Sequence, residues 1–238
     1  MSTDTGPPAR HLAGTVTERV VAAMRDDILS GSLPPGMRLK ILDIAARYGV
    51  SPLPVREAIS RLEGERLVEL AAHRGAMVRP LTAKLLGDLY DVREALEGLM
   101  VARAAAGITQ AQLRDLSARQ EAWENAAVSG DAARLLDANA RFHVLIAAVA
   151  DNGEATEAAR RGWPLTVALR IRLGFRPERI AAIRAQHRDL ITALAAHDVD
   201  GARAISRLHV LSARDELLDH LATAGLLTEP PVPLRRTA

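Results

Sequence analysis

Three of the chain's seven histidines stand where helical periodicity asks for aliphatic residues. In the segment 131–150 the apolar stripe is Leu135, Leu136, Phe142, Leu145, Ile146 and Val149, and Asn139 and His143 lie on the same side, one turn apart. In 177–197 the stripe is Ile180, Ile183, Leu190 and Leu194, with His187 in its midst; in 199–224, His209 follows Ile205 by four. An unpaired polar group in a core costs about 1–3 kcal/mol, so all three imidazoles need partners. Each could be a neutral ring hydrogen-bonded to a backbone carbonyl or a carboxylate. Alternatively, one divalent metal ion would satisfy all three nitrogens together. Nitrogen-only ligation suits zinc, nickel, cobalt or ferrous iron, and the absence of cysteine removes thiolate sites and cysteine nucleophiles. His220 lies three turns beyond His209, about 16 Å away, and cannot join them. His197 sits at a helix end, where a cation favours the C-terminal dipole, and His11 lies in an N-terminal arm.

The elements that must position these groups are helices. From Leu81 onward the pattern predicts six, over about 82–106, 109–128, 131–150, 154–173, 177–197 and 199–224, with breaks at Gly107, Ser129-Gly130, Asn152-Gly153, Gly174 to Pro177 and Asp198. Residues 81–224 thus read as an all-α bundle, with 225–238 a flexible tail and 1–14 a disordered arm. The 238 residues allow one large or two modest domains. A net charge of +2 is too small to argue for nucleic acid, and with Lys40 and Lys84 the only lysines any basic surface must come from arginine. Aromatics at 3% exclude stacking platforms for single strands. With no signal-like segment and no run able to span a bilayer, a cytoplasmic protein is expected.

The stretch Asp43–Arg66 predicts two helices joined by a tight turn at Tyr48-Gly49-Val50-Ser51. Gly49 suits the end of the first helix; Ser51 is placed to cap the second, and Pro52 fits its first turn. Val55, Ile59 and Leu62 form an inner face, leaving Arg56, Ser60 and Arg61 outside. With an amphipathic helix over Val16–Ser30 before it, and a hairpin of 67–70 and 76–79 around His73-Arg74-Gly75 after it, residues 15–80 read as a winged helix-turn-helix. Packing corners and solvated turns use the same patterns.

These residues resemble the GntR-type bacterial transcription regulators, in the FadR-like branch with an all-helical FCD effector domain. The resemblance is carried by GSLPPGMRL, DIAARYGVSPLPVREAISRLEGERLVE and RGAMV, then by LYDVREALE, NARFH, QHRDLITAL and the helix of His209. It implies a homodimer on a palindromic operator, retuned by a small carboxylate effector beside a metal held by one aspartate and three histidines. Carried over, the metal ligands are Asn139, His143, His187 and His209, with zinc or nickel the expected ion. Asn139 stands where the family usually has aspartate, and an uncharged amide implies weaker metal affinity or dependence on a bound acid. The same four residues with Arg93 would bind the effector, the guanidinium suiting a carboxylate; an ordinary Arg93–Glu97 pair fits the spacing equally, and Arg170 and Arg172 are lesser candidates. DNA contacts would come from Arg38, Lys40, Ser51, Leu53, Arg56, Arg61, His73, Arg74 and Gly75, with Arg56 the base reader. Pro52, Leu53 and Leu42 replace polar or basic residues common in relatives, so the operator is not transferable.

Two other readings remain at this stage. Three histidines with an open position also describe a metal-dependent hydrolase, although no acidic residue stands at a motif spacing to serve as its base. A metal-free dimerisation module would use the histidines only as hydrogen-bonding groups.

Overall fold

A computed structural model describes residues 15–71 and 75–228, the side chains of 71, 161 and 162 excepted. Contacts divide the chain after Val78. The predicted 1–14 arm and most of the 225–238 tail lie outside the described residues.

The first unit is built from three helices and a hairpin. Helix α1 (Val16–Ser30) opens on a capping box in which Thr15 and Glu18 satisfy each other's backbone N–H groups, at 3.2 and 2.7 Å. Helix α2 (Ile41–Tyr48) ends on Gly49, whose φ of +64° lets its N–H turn back onto the Ala45 and Ala46 carbonyls. Helix α3 (Pro52–Gly64) follows at once. Strands β1 (Val68–Ala71) and β2 (Gly75–Val78) pair antiparallel with Val68 opposite Val78. Met24, Leu33, Ile44, Val55 and Leu62 make a fully buried core. Two polar ties hold the helices. Arg25 forks onto Glu65 at 2.8 and 2.6 Å, joining α1 to α3, while Tyr48 and Arg47 both donate to Asp27 at 2.7 Å, joining α2 to α1. Burial, with the Asp27 hydrogen bond adding to it, pushes the Tyr48 hydroxyl up to about 12.

Ser51 departs from expectation. It occupies the N-cap of α3, yet its side chain makes no capping bond. An N-cap hydroxyl serves the N–H of the second or third helical residue, and here the third is Pro54, which has none.

The second unit comprises the six expected helices: α4 (Ala83–Gly107), α5 (Gln110–Val128), α6 (Ala132–Ala150), α7 (Gly153–Leu173), α8 (Pro177–Ala195) and α9 (Val199–Thr223). Thr82, Thr109, Asp131, Asn152 and Asp198 each accept a first-turn N–H, which accounts for where five of the helices begin. Helix α4 lies along α9, α6 packs on α4 and α5, and α8 on α5 and α9. Between them Val101, Leu116, Phe142, Ile146, Leu190 and Leu194 form the core. Helix α8 stops two residues earlier than predicted. His197 then adopts a left-handed φ of +54°, and its Nδ1 lies 2.7 Å from the Ala105 carbonyl, so it ties this corner to α4 rather than serving a dipole. Among the described residues no helix is long and apolar enough to cross a membrane.

Candidate functional site

Helices α6, α8 and α9 bring His143, His187 and His209 together. One ring nitrogen from each lies within 4.8 Å of the others. His187 and His209 are buried at 1% and 4% exposure, and His143 is mostly covered. The His187 ring stacks on Phe142 with centroids 4.1 Å apart and meets the edge of Trp123 at 5.4 Å, so packing fixes its plane.

The hydrogen bonds around the rings decide which nitrogens are free. His187 Nδ1–H donates to Gln120 Oε1 at 2.7 Å; the amide nitrogen of that glutamine donates to Glu124, which Arg188 clamps at 2.9 and 2.7 Å. His209 Nδ1–H donates to Gln186 Oε1 at 3.0 Å, and the Gln186 amide nitrogen donates to Ser212. Both rings are therefore locked as Nδ1–H tautomers with an Nε2 lone pair unused. Nε2 of His187 and Nε2 of His143 are buried and without a partner among the described residues. Drawing three nitrogens onto one ion needs separations of about 3.4 Å for tetrahedral bonds of about 2.1 Å, within reach of small rotations from the spacing observed. Orphaned, convergent, tautomer-locked imidazoles fit a divalent ion. The cluster could bind a metal.

Burial, with the neighbouring His143 and Arg179, holds His187 well below its ordinary value; His209 is lowered likewise by burial and by His187 and His143, and His143 chiefly by burial. The rings are thus neutral, as ligation requires. In metal-free protein an unfolded histidine titrates near 6.5 but the folded ones do not. Below that pH the unfolded chain takes up more protons, so stability is full above about 6.5 and falls as pH drops. The loss is up to about 1.4 kcal/mol per histidine per pH unit. Thermal melts of chelated protein at pH 7.5 and 5.5 should show it, with a shallower slope in His187→Gln; equal slopes would contradict the assignment.

The two glutamines were not anticipated, since a glutamine on an amphipathic helix interrupts no apolar stripe. Gln120→Leu removes the acceptor that orients His187 and should weaken metal binding about 10–100-fold while the helices persist. Metal titration monitored by circular dichroism checks both at once.

Beside the triad lie two cavities. A cleft of about 40 Å³ is lined by Tyr90, Arg93, Asn139, Trp163, Arg170, Arg179 and His209; a larger cavity of about 280 Å³ is bounded by Glu97, Met100, Val101, Ala147, Leu190 and the three histidines, among others. Arg93 does pair with Glu97, at 2.5 Å, but inside the bundle rather than on its surface, with the guanidinium 4.6 Å over Trp163. Glu97 in turn lies 4.0 Å from His143 Nδ1, and Arg93 beside it holds its carboxyl below the usual range against the cost of burial. Arg170 is buried against Glu216, while Arg172 is exposed. Arg179 was missed by the sequence reading. It is 4% exposed and bonds Ser212, Gln186 and the His209 carbonyl, with no carboxylate partner among the described residues. Burial pulls it down to about 10, still cationic at neutral pH. Its signal was the ladder 179, 183, 187, which extends the His187 stripe back one turn.

On the first unit, Arg56 and Arg61 of α3 are exposed, as are Arg38 and Lys40 before α2. Arg56 forms no ion pair among the described residues; its neighbour Glu57 instead accepts the Thr17 hydroxyl at 2.6 Å. Leu53 is 65% exposed at the start of α3, and Gly75 opens β2 with φ +76°. Lys40 lies 4.0 Å from Asp43. His73 and Arg74 lie outside the described residues.

Comparison with known proteins settles the family. Residues 16–78 match bacterial regulatory proteins of the gntR family, and residues 88–212 match the FCD domain. The chain belongs to the GntR family, in its FCD-bearing, FadR-like branch. The Nta operon transcriptional regulator of Aminobacter aminovorans is 29% identical over 202 residues, covering 82% of this chain and 90% of that one. The relative named "Probable D-xylose utilization operon transcriptional repressor", from Paenarthrobacter nicotinovorans, is 33% identical over 144 residues, 60% of this chain but 63% of that one, less than two thirds of its length. A solved GntR transcriptional regulator from Rhodococcus sp. RHA1 superposes with a TM-score of 0.60 at 26% identity, covering 85% of this chain and 97% of that one. As a GntR regulator with an FCD domain the protein is a DNA-binding transcriptional regulator rather than an enzyme, and GntR regulators bind operator DNA.

Proposed function

We propose that this GntR/FCD regulator is a repressor, working as a homodimer in the bacterial cytoplasm, that releases or retunes its operator when a small organic acid binds the helical domain. The observation that carries this is the built polar centre of the bundle: three convergent imidazoles, two of them tautomer-locked, beside a buried arginine with no carboxylate partner among the described residues. Such a set is more polar than packing alone requires. It suits a metal ion and an anion.

His143, His187 and His209 would hold the ion through Nε2, with the Asn139 amide oxygen, one turn before His143, as a neutral fourth donor. When bound, zinc or nickel there supplies a Lewis-acidic position open to a carboxylate oxygen. Arg93 and Arg179 would pair with the remaining anionic oxygens; their planar forks match a carboxylate. In the first unit, Arg56 would read a base edge in the major groove, with Leu53 contacting a thymine methyl at the helix start. Arg38, Lys40, Ser51, Arg61, His73, Arg74 and Gly75 would position the backbone. Ser51, whose hydroxyl is not spent on a cap, is free to reach a phosphate.

Because two half-sites must match the spacing of two winged domains, a shift in dimer geometry on acid binding would weaken the operator relative to non-specific DNA. Selection of bound fragments from a random duplex pool, followed by anisotropy titration of the winner with and without an acid panel, tests this. A palindromic winner whose affinity falls at least tenfold with one acid is expected; a winner indifferent to every acid would refute the sensing half.

A further inference from the structure

We infer that the effector is a monocarboxylic acid with an apolar tail of about six to nine carbons, a proposal that rests on reading the bundle as an acid sensor. Three features of the two cavities lead there.

The first is charge. The cleft presents Arg93, Arg170 and Arg179, but Glu97 neutralises the first and Glu216 the second. Among the described residues Arg179 alone of the three lacks a carboxylate, so the cleft's own side chains call for one anionic group. The second is size. At about 40 Å³ the cleft accommodates little beyond one carboxylate-sized group, since a water occupies roughly 30 Å³. The rest of any ligand must lie elsewhere. Trp163 and His209 border both spaces; with its head in the cleft, an acid would pass its tail between these two side chains into the larger cavity.

The third is the chemistry of that cavity. Met100, Val101, Ile146, Ala147 and Leu190 form much of its wall. Apart from the three imidazoles, which would be spent on the ion, its polar members are largely engaged: Glu97 with Arg93, Gln186 with His209 and Arg179, Arg160 with Glu157 at 3.5 Å, and the Thr156 hydroxyl with the Asn152 carbonyl at 2.9 Å. Ser206 is left with no protein hydrogen bond among the described residues. A polyhydroxy acid would enter with several hydroxyls and find few acceptors, at a cost of roughly tenfold in affinity for each one left unpaired. A hydrocarbon tail meets a wall that matches it. The 280 Å³ volume, at roughly 30 Å³ per water-sized group, holds about nine such groups at most.

The test is calorimetric titration of the full-length, zinc-loaded protein with straight-chain alkanoates from acetate to dodecanoate, with gluconate, succinate and 1-octanol alongside. Affinity should climb about fourfold per methylene to octanoate or nonanoate and fall beyond. Octanol, lacking the head group, should bind at least 100-fold more weakly than octanoate. Ala147→Phe should move the optimum to shorter acids and leave acetate unchanged. Affinity independent of chain length, gluconate or succinate binding more tightly than octanoate, or octanol equal to octanoate would overturn the apolar-tailed monoacid while leaving an acid sensor standing. No binding by any acid would overturn both.

Discussion

His187→Ala is expected to abolish metal-dependent stabilisation of the helical domain. The ring is 1% exposed, gripped by Phe142 and Trp123, with its Nδ1–H given to Gln120 and its Nε2 turned to the other imidazoles. A ligand that binds only the folded state stabilises it by about 2.7 kcal/mol at 100 times its dissociation constant. For a domain of roughly 150 residues that is a melting shift of about 5–11 °C. Wild type should show the shift on adding zinc or nickel, and the variant none. Losing the ring also costs packing, so the metal-dependent increment is the quantity to compare, not the melting temperature itself. His187→Gln, which keeps more of the volume, should likewise lose the increment. An increment unchanged in both variants would remove the metal assignment.

The second large effect belongs to Arg56→Ala. The side chain is exposed on α3 and has no ion-pair partner among the described residues, so its removal costs the fold little. A bidentate arginine contact to guanine is worth about 1–3 kcal/mol of discrimination. Specific affinity should therefore drop roughly 5- to 150-fold, with affinity for non-specific duplex nearly unchanged at the same salt. Arg61→Ala, by contrast, should weaken all sequences alike and flatten the salt dependence by about one phosphate. If Arg56→Ala lowers specific and non-specific binding equally, Arg56 is a phosphate contact and the base reader lies elsewhere on α3.

How far the site could be read from the chain depended on whether a residue broke a pattern. His143, His187 and His209 were legible because each interrupts an apolar stripe, and three stripes facing one interior must converge in a bundle. The six helices were legible for a related reason. Threonine, aspartate or asparagine opens five of them, and glycine or a polar break separates them. Gln120 and Gln186 were not legible, since a glutamine on an amphipathic helix breaks no pattern until its neighbours across the bundle are known. Arg179 was hidden by Ile180, which made the stripe look complete one residue later. At Ser51 a local rule fails for a local reason: the serine suits a cap, but Pro54 has no N–H to give it.

Asn139 bears on chemistry rather than on fold. It lines the cleft with Arg93, Arg179 and His209, in a place where a carboxylate would compete with the effector for the same cations. A neutral amide leaves the Arg179 charge to the ligand, so Asn139→Asp should raise metal affinity and weaken acid binding. Paired titrations of metal and of octanoate would reveal the opposite signs.

The claim that the three histidines share one ion is tested most directly by elemental analysis of protein purified without a histidine tag, before and after dialysis against equimolar zinc or nickel. The account predicts close to one ion per chain after dialysis and near zero in His187→Ala. A wild type that retains no metal from either solution would contradict it, and would leave Arg93 and Arg179 to hold the acid alone.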